Sequence, residues 1–153
     1  MSIGKIMISG VIKTPLKQFE DDRGKVMHML RCDDPHFREF GEVYFSWICS
    51  GATKAWKLHK KLTMNFAVPV GSIKLVLYDD RSDSLTYGRL SEYDMGDFDY
   101  YLLTIPNSIW YGFKSLNNKP AMVVNCTTLP HRPSETSTKE INDPSIPYSW
   151  EIQ

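Results

Sequence analysis

Apolar side chains recur at every second position over several short stretches of the chain. In Val43-Tyr44-Phe45-Ser46-Trp47-Ile48-Cys49 the larger apolar residues alternate, which predicts a half-buried strand. Ile73-Lys74-Leu75-Val76-Leu77-Tyr78 repeats the pattern and stops at Asp79-Asp80. Tyr100 to Ile105 and Ala121 to Cys126 are two further β-branched or aromatic runs, bounded by Pro106 and Pro120. No long window carries a 3.6-residue stripe. One short helix is expected over residues 34–40, with Asp34 as N-cap and Pro35 at the first helical position. Short strands divided by Gly, Pro, Asn and Asp turns predict an all-β sandwich or barrel. Residues 130–147 carry four prolines among Ser, Thr, Glu and Asn, and read as a loop packed over the barrel mouth. Tyr148 and Trp150 would anchor it, within a single domain covering residues 1–153.

Charge narrows the partners. Eighteen Lys and Arg against 18 Asp and Glu leave no net charge, and no basic block stands out, so neither nucleic acid nor an anionic membrane is an expected partner. The apolar runs are far shorter than the roughly 20 residues of a membrane span. Met1 to Lys5 lacks the apolar core of a signal peptide, so a cytoplasmic location is expected. Cys32, Cys49 and Cys126 form no C-x-x-C pair and read as small buried hydrophobes in a reducing compartment.

The stretch from Gly51 to Gly71 keeps the intervals of the cupin pattern G-x5-H-x-H-x4-E-x6-G, but of its ligands only His59 is present. On a strand, residues two apart share a face, so H-x-H aims two imidazoles into a barrel, and the closing Gly permits a tight turn. Lys57 and Met64 fill the other places, and Tyr111 stands where a second motif, from Pro106 to Ser115, would carry its His. An ammonium group and a thioether are poor ligands for hard or borderline cations, so no metal and no cofactor are expected.

Five pieces, in order, resemble the dTDP-4-dehydrorhamnose 3,5-epimerase family, jelly-roll cupins acting on nucleotide-linked 4-keto-6-deoxy sugars. Phe19-Glu20-Asp21-Asp22-Arg23-Gly24 is similar to F-x-D-x-R-G, and Gly51 to Lys57 aligns with G-V-L-R-G-L-H. Asp79 to Gly88 is similar to D-x-R-x-x-S-P-T-F/Y-G, and Ile105 to Phe113 to I-P-x-G-F-A-H-G-F. Asn142-Asp143-Pro144 followed by Trp150 resembles the closing N-D-P segment. The resemblance implies a cupin jelly-roll barrel. It also implies a homodimer whose N-terminal segments complete the neighbour's sheet and pocket.

The same resemblance places the chemistry. Removing a proton next to a ketone needs a base, an acid on the opposite face and a charge to hold the enolate. The family's base position falls on Lys57, with Asp143 as its implied partner, and its enolate-binding Lys position falls on Met64. The family's acid, a Tyr after the last strand, falls on Pro130, beside His131; His28 replaces a family Glu. His59 to Gly71 also resembles the dTDP-sugar 3,4-ketoisomerases, in which a His at this position is functional.

The catalytic candidates are therefore His59, Lys57, Asp143, His131 and Tyr111, with His59 the preferred base because imidazole titrates near neutrality. Arg23, Lys54, His28 and Arg81 are the candidates for binding substrate, the arginines through bidentate phosphate contacts. Trp56, Trp110 and Trp150 read as core. The expected activity is cofactor-independent epimerisation of a nucleotide-linked 4-keto-6-deoxyhexose in deoxysugar or surface-polysaccharide biosynthesis. A 3,4-ketoisomerase and a non-catalytic sugar-nucleotide-binding cupin are the alternatives.

Overall fold

The computed structural model describes residues 6–151; the reading of residues 1–5 lies outside them. Twelve strands and a single turn of 3-10 helix, Pro133–Glu135, make up the described chain. One antiparallel sheet runs β1 (Ile12–Pro15), β9 (Tyr101–Ile105), β6 (Met64–Val70), β11 (Ala121–Thr127) and β4 (Glu42–Ile48). The second runs β12 (Thr136–Thr138), β5 (Thr53–His59), β10 (Ile109–Ser115), β7 (Ser72–Asp79) and β8 (Leu90–Gly96). β2 (Gln18–Asp21) and β3 (Gly24–Met27) form a separate hairpin. The expected barrel is thus two sheets face to face rather than a closed cylinder among the described residues.

Period two decides what fills the space between the sheets. Met64, Phe66 and Val68 of β6 point inward against Leu75, Leu77, Tyr111 and Phe113 of the opposite sheet. The other face of the second sheet buries Trp56, Val76, Trp110 and Trp150, so these three tryptophans are core as expected. Gly112 makes that packing possible: a Cβ there would lie 2.6 Å from the Ala55 Cβ and 2.9 Å from the Trp150 ring. Gly71, at φ +72°, turns the chain between β6 and β7, the role its place in the motif predicts.

Several expectations fail. Residues 34–36 form a bend and turn and 37–40 are irregular, with no helix; the Asp34 carboxylate accepts from the Arg31 N–H behind it instead of capping a following turn, and Phe40 is exposed. In β4 the faces are reversed: Val43, Phe45 and Trp47 are exposed, while Tyr44 and Ser46 point between the sheets. Alternation reveals two faces but not which one is inside. Cys126 is buried, but Cys32 and Cys49 are exposed on connecting segments with no core to enter. The proline-rich stretch is not all loop, since β12 pairs with β5 (Thr136 opposite His59, Thr138 opposite Lys57).

Candidate active site

A cavity of about 310 Å³ opens between the sheets at the β4, β11, β5 and β10 end. That volume suits one sugar ring, near the lower end of small-ligand pockets. Tyr44, Ser46 and Asn125 line it from the first sheet; Lys54, Lys57 and Tyr111 line it from the second. Thr138 and Lys139, from the proline-rich segment, complete the rim. The ionisable side chains in the lining are lysines and tyrosines, with no carboxylate and no imidazole.

Lys57 lies opposite Tyr111 in the β5–β10 ladder and is exposed to the cavity. Lys54 is held at the rim, its Nζ donating to Ser46 Oγ (2.9 Å) and to the Trp47 carbonyl (2.6 Å). A bulge in β5 lets both lysines reach this space: three β10 residues, Tyr111 to Phe113, lie against four of β5, Lys57 to Lys54. The Lys139 ammonium turns away, donating to Ser145 Oγ and lying 4.6 Å over the Trp110 ring.

His59 shares the inward face with Lys57 but is 4% exposed and does not reach the cavity. Its Nε2 lies 3.0 Å from Tyr111 Oη and its Nδ1 3.4 Å from Thr136 Oγ1. Burial pushes the imidazole down to about 4, against the opposing attraction of Glu135, so it is neutral at physiological pH. Burial alone would raise the Glu135 carboxyl, but the Leu62 and Lys61 N–H groups that donate to it outweigh burial and hold it below its ordinary value. The preferred base is therefore a ring sealed behind Tyr111. Strand parity gave its direction; the phenol that covers it was not legible.

Other candidates also stand apart. Asp143 does not meet Lys57; its carboxylate accepts from the Ser145 N–H and hydroxyl, and those bonds hold it below the usual carboxylate range. His131 is exposed, its backbone N–H donating to Glu42 Oε1. Arg81 is forked onto Asp79 and donates to the Ser9 carbonyl, so its guanidinium ties its loop to the N-terminal segment, and it is not in the lining of this cavity. Arg23, at the tip of the β2–β3 hairpin, pairs with Asp21 and is 89% exposed, and His28 packs edge-on against Phe19. Met64 is core, and among the described residues no three of His, Cys, Asp and Glu come together.

Tyr44 and Asn125, both in the lining of the cavity, belonged to no motif. Asn125 Nδ2 donates to Tyr44 Oη at 2.8 Å, while Asn125 Oδ1 accepts from the Asn65 N–H at 3.3 Å. Burial raises the Tyr44 phenol above its ordinary value, the Asn125 bond opposing it, and burial raises Tyr111 further. Both are protonated at neutral pH. The signal that could have found Tyr44 is its parity, opposite to that of Phe45 and Trp47.

The chain matches the dTDP-4-dehydrorhamnose 3,5-epimerase family over residues 5–153. It is 32% identical over 149 residues to the spore coat polysaccharide biosynthesis protein SpsL of Bacillus subtilis, covering 96% of this chain and 99% of that one. A probable low-salt glycan biosynthesis epimerase of Haloferax volcanii is 32% identical over 110 residues, 71% of this chain and 70% of the relative. Among solved structures, a dTDP sugar isomerase from Desulfovibrio desulfuricans superposes with a TM-score of 0.92 at 46% identity, covering 94% of this chain and 92% of that one.

Proposed function

We propose a proton-transfer isomerisation in the inter-sheet cavity, starting from the fact that the chain belongs to the dTDP-4-dehydrorhamnose 3,5-epimerase family. The substrate class is a nucleotide-linked 4-keto-6-deoxyhexose. The relatives named for spore-coat polysaccharide and glycan biosynthesis favour a role in making surface sugars. One observation carries the reading: a sugar-sized cavity lined by lysines and phenols, without carboxylates. That lining suits a reaction whose charged intermediate is an enolate, because each of these groups can donate a hydrogen bond to an oxyanion.

Lys57 is the base of this reading. It is the lysine of the lining whose amine is not tied to another side chain, and in its uncharged form it takes the proton next to the ketone. Lys54 keeps one N–H beyond its bonds to Ser46 and Trp47 for the enolate oxygen or the diphosphate. His59 acts through Tyr111, holding the phenol in place, and is a positioning residue. The burial of His59 weighs against the 3,4-ketoisomerase alternative.

The working unit of this reading is a cytoplasmic homodimer. β4 is a sheet edge with Val43, Phe45 and Trp47 exposed, and the hairpin leaves Phe19 and Val26 exposed. A second copy would cover these apolar surfaces, and Arg23 at the hairpin tip would then reach the neighbour's cavity. The test offers dTDP-, CDP- and GDP-linked 4-keto-6-deoxy sugars and follows them by proton NMR. One of them should yield a new epimer. Binding of a sugar nucleotide with neither conversion nor exchange of a carbon-bound proton would reduce the protein to a binding module.

A further inference from the structure

Epimerisation needs a proton delivered on the face opposite to the one from which it was taken, and Lys57 and Tyr111 share one wall. Tyr44 stands on the other wall, on β4 of the facing sheet, and lines the same cavity. Its hydroxyl is set by an ordered chain of bonds. Asn125 is 1% exposed, and the Asn65 N–H occupies its Oδ1, so its Nδ2 is the end turned to Tyr44. Asn65 is fixed in turn, donating from Nδ2 to the Cys126 carbonyl and accepting at Oδ1 from Thr104. An amide N–H can only donate, so Tyr44 Oη accepts and its own O–H is left for another acceptor. The cavity that Tyr44 lines offers room for such an acceptor.

We infer that Tyr44 is the proton donor that completes inversion, a role resting on the isomerase reading above. The Lys57 amine takes the proton from the carbon next to the ketone, and the C–H electron pair becomes the enolate. Tyr44 then gives its phenolic proton to the opposite face of that carbon, and the enolate electrons re-form the ketone. The phenolate, held by the Asn125 N–H, regains a proton from solvent, and the Lys57 ammonium returns one. The proton count closes with no other reactant.

The test compares wild type and Tyr44→Phe in D2O on the substrate that the wild type converts. Recovered substrate is scored for deuterium, product for the epimer, and dTDP binding and melting temperature report folding. Tyr44→Phe should bind dTDP and still wash deuterium into recovered substrate from the Lys57 side, while epimer formation falls by about 10²–10⁴-fold. Asn125→Leu, which keeps the phenol but removes its partner, should lose less than Tyr44→Phe does. Wild-type epimer formation by Tyr44→Phe overturns the assignment. So does loss of exchange together with epimer in a folded, dTDP-binding variant, because Tyr44 would then serve proton removal. A wild type that neither exchanges nor converts any sugar overturns the isomerase reading itself, which keeps the two failures apart.

Discussion

Asp79 and Tyr44 anchor two hydrogen-bonded clusters with opposite outcomes. Asp79 is wholly buried, and Arg81, Ser84 and Thr86 answer its oxygens from within one loop. Burial alone would raise that carboxyl, but those donors outweigh it and hold it far below the carboxylate range. The carboxylate of this cluster is spent on internal donors, while Arg81 stays partly exposed. Around the cavity, Tyr44 and Tyr111 each have one partner, Asn125 and His59, and keep bonding capacity toward open space. The loop with the family-like motif is tied to itself and to Ser9, whereas the cavity is built partly from residues that no motif marked. A matched motif can report how a loop is held rather than where chemistry occurs.

The largest expected effect lies in the cavity. Lys57→Met should lower turnover by about 10²–10⁴-fold, as loss of a general base does, with little change in stability because the side chain is exposed. Steady-state rates beside a melting curve check it. A comparable loss of turnover in a folded Asp79 variant would break the contrast between the clusters.

Asp79→Ala should do the reverse. It strands Arg81 and two hydroxyls, costing on the order of 3 kcal/mol, the low end for a broken buried pair because Arg81 retains some water contact. Urea denaturation measures the loss, and turnover of the folded fraction should stay near wild type. The depressed carboxyl adds stability that is full above about pH 4 and is lost as pH falls toward its folded value. Acid denaturation of wild type should therefore be steeper than that of Asp79→Asn below pH 4.

His59 gives a pH effect with its own window. Its folded value of about 4 lies below the ordinary 6.5, so as pH falls the unfolded chain takes the proton first. The fold then loses stability between about pH 6.5 and 4, by roughly 3 kcal/mol at most, and His59→Gln should flatten that segment. Turnover of His59→Gln should fall by less than that of Lys57→Met, in keeping with a positioning role. The smallest effect belongs to Asp143→Ala, which loses bonds to Ser145 alone and should shift stability by about 0.5 kcal/mol or less in urea melts.

The places of four strands along the chain were legible because alternation and turn residues are local signals. β7, β9 and β11 fall within a residue of the stretches read from pattern, and Gly71 turns where the motif requires. The orientation of β4 was not legible, because period two does not say which face meets a core and which may meet a second chain. The helix at residues 34–40 failed because a good N-cap cannot sustain a turn without an apolar face to bury. At the site, Lys57 and Lys54 were legible by motif position. The sealing of His59 by Tyr111 depends on how deeply β10 sits against β5, a tertiary fact. The implied Lys57–Asp143 pair failed for a similar reason: Ser145, two residues on, satisfies the carboxylate first.

The proposed activity requires that a proton move, in this cavity, at a carbon beside a ketone. The direct measurement is incubation of the purified protein in D2O with dTDP-linked 4-keto-6-deoxyglucose and its CDP- and GDP-linked counterparts, read by proton NMR. The signal at a carbon flanking the ketone of one of these sugars should disappear, and far more slowly in Lys57→Met. Retention of every carbon-bound proton by the wild type, or exchange at an unchanged rate in Lys57→Met, would contradict it.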